Sequence, residues 1–155
     1  MARAIGAAIG QEGLLLALVG PLGAGKTAFV QGLAQGMGIE PGRVTSPTFV
    51  IAAHHEGGRQ LLVHADLYRV EHEAELEAAG WLDWLAPGTV VAVEWADRLP
   101  QALPADLLHI SLSRESDGEA SGRAIELRAD GPISRGVLAR WLRGGQIPAP
   151  EEGAD

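Results

Sequence analysis

The chain has 155 residues, a formal net charge of −8 and no cysteine. That length suits one domain with a proper core, and the missing thiols exclude a disulfide framework and any thiolate metal site. The acidic balance argues against a protein whose main task is gripping a nucleic-acid backbone. With no long apolar run and no signal-peptide layout, a cytoplasmic protein is expected, without membrane binding or direct sequence-specific nucleic-acid binding.

In chain order, residues 2–9 read as a short, Ala-rich helix with Ile5 and Ile9 one turn apart, a packing piece. Leu14 to Val19 is a continuous apolar run of strand length, and Ala28 to Met37 reads as a helix. Between them Gly20-Pro21-Leu22-Gly23-Ala24-Gly25-Lys26-Thr27 matches G-x-x-x-x-G-K-[ST] in full. Glycines let successive N–H groups curl inward onto phosphate oxygens, and a helix start adds its positive dipole end. The nucleotide-binding set expected here is Gly20, Leu22, Gly23, Ala24, Gly25, Lys26, Thr27 and Ala28. In it Lys26 reaches the β- and γ-phosphates and the Thr27 hydroxyl ligates Mg²⁺. Lys26 is the sole lysine, all other basic side chains being arginine; a compact ammonium is what this position needs.

Gly36-Met37-Gly38 closes the helix. The polar turn Thr45-Ser46-Pro47-Thr48-Phe49 is by itself an ordinary loop. Downstream of a phosphate loop, Thr48 can turn toward the γ-phosphate as switch residues do. The apolar stretch Phe49 to Ala53 and a hairpin-like turn at Gly57-Gly58 lead into a strand over Gln60 to Tyr68. Alternation places His64, Asp66 and Tyr68 on one face, with Asp66 near the carboxyl end, where ligands bind in open α/β sheets. Zinc at His64-x-Asp66 would lack enough ligands. Glu71 to Trp84 is an acidic amphipathic helical region broken near Gly80; its carboxylates form a solvated face or a docking surface for a basic partner. Trp81, Leu82 and Leu85 have core-like spacing, and Trp84 joins them.

Val90-Val91-Ala92-Val93-Glu94 is how a buried parallel strand delivers an acid to a nucleotide. Trp95 beside it is either packing or a platform for the nucleotide. Leu107 to Leu112 and Ala124 to Leu127 read as an antiparallel pair joined by a polar loop over 114–123. Val137, Leu138, Trp141 and Leu142 form an apolar helical stripe. Residues 1–144 make one domain and 145–155 a frayed tail. The expected fold is therefore α/β: a P-loop NTPase-like, mostly parallel sheet flanked by helices, with an antiparallel C-terminal strand pair.

Thr27, Asp66 and Glu94 are the candidate metal residues, and the catalytic set is Lys26, Glu94 and Thr48. Glu94 would orient or deprotonate a water while Thr48 closes over the site. The chain has no Asn and no second Lys for a guanine-reading motif, so ATP is the expected nucleotide. A small-molecule kinase shares this logic but usually carries an Arg-rich lid, for which Arg114, Arg123 and Arg128 look too scattered. A nucleotide-gated binding module without turnover is the other alternative. A stimulating arginine would come in cis, from Arg69 or Arg98, or in trans.

G-P-L-G-A-G-K-T at 20–27, V-T-S-P-T-F at 44–49, H-A-D-L-Y-R at 64–69 and E-W at 94–95 closely resemble, in order and spacing, the TsaE (YjeE) family. The resemblance spans about the first two-thirds of the chain. It implies a P-loop ATPase using ATP and Mg²⁺ in the bacterial tRNA threonylcarbamoyladenosine system. The TsaD and TsaB proteins would be its partners, and hydrolysis would reset their complex between turnovers. It also implies a switch role for Thr48, a metal-side role for Asp66 and a catalytic pair at Glu94 and Trp95, with Trp95 beside the nucleotide. Two departures stand out: Pro21 where the family often has Asp, which removes a backbone donor, and a short N-terminal helix.

Overall fold

Six apolar residues, Leu14–Val19, form strand β1 at the centre of a six-stranded sheet. This is a computed structural model; it describes residues 1–47, 49–114 and 122–144. Thr48, most of the loop expected over 114–123 (residues 115–121) and the expected tail at 145–155 lie outside the described residues. Around β1 the chain runs α1 (Ala2–Ala8), α2 (Lys26–Met37), β2 (Ala52–His55), β3 (Leu62–Asp66), α3 (Glu73–Ala78), α4 (Trp81–Trp84), β4 (Val90–Glu94), β5 (Leu108–Arg114), β6 (Arg123–Ala129) and α5 (Pro132–Arg143). The strand order is β2-β3-β4-β1-β5-β6. The four inner strands are parallel, and β6 closes one side antiparallel to β5, as the short connection requires.

The opposite side carries a second antiparallel pair, β2 with β3, in register Ala52↔Ala65 to His55↔Leu62. The turn through Gly57 and Gly58 is too short for a crossover, so the two strands must fold back on each other. Phe49 and Val50, the start of the apolar stretch Phe49 to Ala53, stay outside this strand and are solvent-exposed.

Helices cover both faces, which is why the two central strands, β1 and β4 up to Glu94, are apolar at every position rather than at alternate ones. On one face Leu14, Leu16, Leu18, Leu62, Val90 and Ala92 pack under α1, α2 and α5 through Ile5, Phe29, Leu33, Met37 and Val137. On the other, Leu15, Ala17, Val63, Ala65, Val91 and Val93 pack against Leu76, Trp81, Trp84 and Leu99. Two sequence expectations fail at the helix surface. Leu82 is 75 % exposed and Leu142 is 46 % exposed. In each helix the neighbour one position back points at the core, and a rotation of about 100° per residue turns the next side chain outward.

The helix α1 is the packing piece its sequence suggests, and it lies backbone to backbone on α2. A Cβ at Gly6 would run into the Leu33 carbonyl, and one at Gly36 into the Arg3 carbonyl. Only hydrogen fits at these two crossings.

Candidate functional site

Where β1 ends, the chain curls through left-handed Gly23 (φ 74) and Gly25 (φ 103) before α2 begins at Lys26. A Cβ would oppose both conformations. The helix starts two residues earlier than expected, so Lys26 and Thr27 sit in its first turn. No side chain caps this terminus, and the first-turn amides have no intrahelical acceptor. They are available for an anion. The Ala24 amide differs, since it donates within the loop to the Pro21 carbonyl at 3.1 Å.

Lys26 is 5 % exposed. Its Nζ donates to the carbonyls of Gly20 (2.6 Å) and Pro21 (3.0 Å) and lies 3.8 Å from the centroid of the Trp95 ring. Burial pushes its pKa down, against the opposing pull of the Glu94, Asp66 and Asp97 charges. Trp95 holds this position in a left-handed conformation (φ 55, ψ 39), unique among the described non-glycine residues. Such a backbone costs about 1–3 kcal/mol and persists only where its surroundings enforce it. Here the ring lies against both the Lys26 ammonium and, with centroids 4.9 Å apart, the Tyr68 ring.

Glu94 is buried at the end of β4, in register with Asp66 at the end of β3. One oxygen, Oε1, accepts from Thr27 Oγ1 at 2.8 Å and lies 2.7 Å from His64 Nε2. His64 is fully buried and its Nδ1 has no hydrogen-bond partner among the described residues. A carboxylate only accepts, so Nε2 carries the proton and donates it to Glu94. Asp66 Oδ1 accepts the Tyr68 amide at 2.9 Å. Burial raises the Asp66 pKa and the neighbouring Glu94 charge adds to it, outweighing the Tyr68 amide.

Two acids and one hydroxyl therefore meet beside the loop. Among the described residues no three His, Cys, Asp or Glu side chains group to hold a metal. That donor set suits magnesium, a hard cation that takes most of its oxygens from phosphates and water and only one or two from carboxylates. A pocket lined by Ser46, Pro47, Phe49, Ile51, Asp66 and Tyr68 opens next to Asp66.

Lys26, Thr27, Asp66, Glu94 and Trp95 thus lie together beside the loop from Gly20 to Ala28. Sequence reasoning missed His64 as Glu94's partner. Alternation did place it on the Asp66 face, but pairing it with Glu94 needs the β3–β4 register. The expectation that Arg114, Arg123 and Arg128 are scattered also needs correcting. Arg114 Nη2 donates to the Gly23 carbonyl at 3.0 Å, and Arg123 lies beside Gly25. Arg128 stands apart in an ion pair with Asp130. Arg98 lies 6.0 Å from the Tyr68 ring centroid.

Residues 1–125 match the family model described as threonylcarbamoyl adenosine biosynthesis protein TsaE. Two relatives carry the name tRNA threonylcarbamoyladenosine biosynthesis protein TsaE. The one from Bacillus subtilis is 41% identical over 113 residues, 73% of this chain and 70% of the relative. The one from Haemophilus influenzae is 31% identical over 132 residues, 84% of this chain and 80% of the relative. The crystal structure of Bacillus subtilis YdiB shares the fold with a TM-score of 0.72 and 30% identity, covering 92% of this chain and 86% of that one. Among the described residues no helix is long and apolar enough to cross a membrane.

Proposed function

The chain belongs to the TsaE family, and from that premise we propose that it binds and hydrolyses ATP with magnesium for the tRNA threonylcarbamoyladenosine machinery. Hydrolysis would reset a TsaD–TsaB transferase complex between turnovers. The observation that supports this most is the Glu94 carboxylate, held at 2.8 Å by the loop threonine and at 2.7 Å by a buried histidine.

Each residue has a role in this reading. The first-turn amides of α2 and the loop amides bind the phosphates. Lys26 exchanges the Gly20 and Pro21 carbonyls for phosphate oxygens, and Trp95 keeps its ammonium at the loop. Thr27, Asp66 and Glu94 are the residues that would hold magnesium, whose chemistry is to neutralise charge spreading over the phosphate oxygens. Glu94 orients the attacking water and takes its proton, and His64 fixes the carboxylate's direction from below. Thr48, which lies outside the described residues, would be the switch residue for the γ-phosphate in this reading.

Phosphate release from ATP, measured with and without purified TsaD–TsaB, tests the proposal. Slow release alone and marked stimulation by the pair is the expected result. ADP formation without free phosphate, dependent on a metabolite, would replace it with the kinase reading. ATP that stays bound and intact in the complex would replace it with a gated module.

A further inference from the structure

The β5–β6 ladder ends on a pair of arginines, Arg114 opposite Arg123. Side chains directly opposite in an antiparallel pair share a face, and like charges placed so repel. Arg128 and Arg140, by contrast, have carboxylate partners in Asp130 and Glu12. Among the described residues neither Arg114 nor Arg123 has one.

What these two guanidinium groups do face is the phosphate loop. β5 runs parallel to β1 as its neighbour, so its carboxyl end arrives at the same edge. Arg114 donates to the Gly23 carbonyl, and its Nη2 stands 2.7 Å from where a Gly23 Cβ would be. Arg123 Nη1 stands 3.5 Å from the corresponding point on Gly25. Gly23 thus leaves room for the Arg114 guanidinium, and the Arg123 guanidinium lies within van der Waals reach of Gly25. One hydrogen bond occupies one of the five donors of Arg114, leaving a planar fork that matches phosphate oxygens.

We propose that Arg114 and Arg123 are nucleotide-binding residues, a cationic clamp supplied in cis from the β5–β6 hairpin that engages the phosphate chain. This rests on the ATP reading above and extends it. The acids Asp66 and Glu94 approach the phosphates from β3 and β4, and the clamp approaches from the other side of β1. Lys26 is then one of three cations at the loop, and the cis arginine comes from neither Arg69 nor Arg98.

Calorimetric titration of the full chain with ATP and with adenosine tests the clamp. The variants are Arg114→Ala with Arg123→Ala, and Arg123→Gln alone, which removes no hydrogen bond seen among the described residues. The double variant should bind ATP about 10–100-fold more weakly, as for losing charge-assisted hydrogen bonds. Its adenosine affinity should stay within about twofold of the wild type. Arg123→Gln should show a smaller loss with the same ATP selectivity, in a protein of unchanged thermal midpoint. Equal loss for ATP and adenosine would overturn the clamp in favour of a base or ribose contact. Unchanged ATP affinity with a lowered midpoint would reduce the pair to a brace for the loop. Wild-type protein that binds no ATP would instead defeat the ATP reading itself.

Discussion

The two ends of the central strands treat polar groups in opposite ways. At the amino end, polar side chains close off backbone groups. Gln60 Nε2 donates to the carbonyls of Gly10 (2.8 Å) and Gly88 (3.1 Å), and Arg59 donates to those of Gly6 and Ile9. Asp106 accepts the Ile133 and Ser134 amides at 2.7 and 3.0 Å, capping α5. At the carboxyl end, Lys26 and Glu94 are buried, His64 keeps a ring nitrogen without a partner among the described residues, and Trp95 holds a left-handed backbone. The amino end is arranged for stability. The carboxyl end holds groups that want a further partner, so changes there should cost binding or turnover and leave the fold intact or tighter.

The largest break in that contrast is Lys26→Ala. It removes the ammonium aimed at the phosphates, and ATP affinity should fall by about 100-fold or more, read by calorimetry. Glu94→Ala comes next. ATP binding should persist while phosphate release in the presence of TsaD–TsaB drops about 10²–10⁴-fold; a wild-type rate would remove Glu94 from the mechanism.

The amino end supplies the converse. Asp106→Ala should lower stability by about 1 kcal/mol with no change in ATP affinity. Burial alone would raise the Asp106 pKa, but the Ser134 and Ile133 amides outweigh it and leave it lowered. A lowered folded pKa means the cap's contribution is present above the unfolded value of about 3.9. It is lost as pH falls through the folded pKa, so denaturation curves of the two proteins should converge in acid.

The smallest effect has the opposite sign. The raised Asp66 pKa means its ionised form is disfavoured in the fold, so Asp66→Asn should raise the thermal midpoint by about 1–3 °C at pH 7. That gain vanishes below the unfolded pKa, where the wild-type group is protonated as well. The same variant should weaken magnesium-dependent ATP binding. A midpoint that fell would erase the distinction between the two ends.

How much of this was legible in the chain follows from what each feature depends on. The phosphate loop is local, eight consecutive residues whose types dictate their backbone, and it reads directly from sequence. Asp66 and Glu94 were readable because an apolar strand ending in an acid places that acid at the sheet's carboxyl edge. The hydrogen bond from His64 to Glu94, and the arrival of Arg114 and Arg123 beside Gly23 and Gly25, depend on register between strands far apart in the chain. No local pattern encodes that. Leu82 was misassigned because one helical turn is too short for periodicity to identify the inward face. Trp95's backbone was equally hidden, since a tryptophan carries no intrinsic preference for a left-handed turn.

The glycine crossings at Gly6 and Gly36 have a practical consequence. With carbonyls of one helix seated on the Cα atoms of the other, α1 cannot slide or rotate without displacing the helix whose first turn is Lys26 and Thr27. Trimming residues 1–9 would uncover Leu33 and Met37 and loosen that helix from behind. A preparation altered in this way would understate nucleotide affinity although every residue at the phosphates is intact.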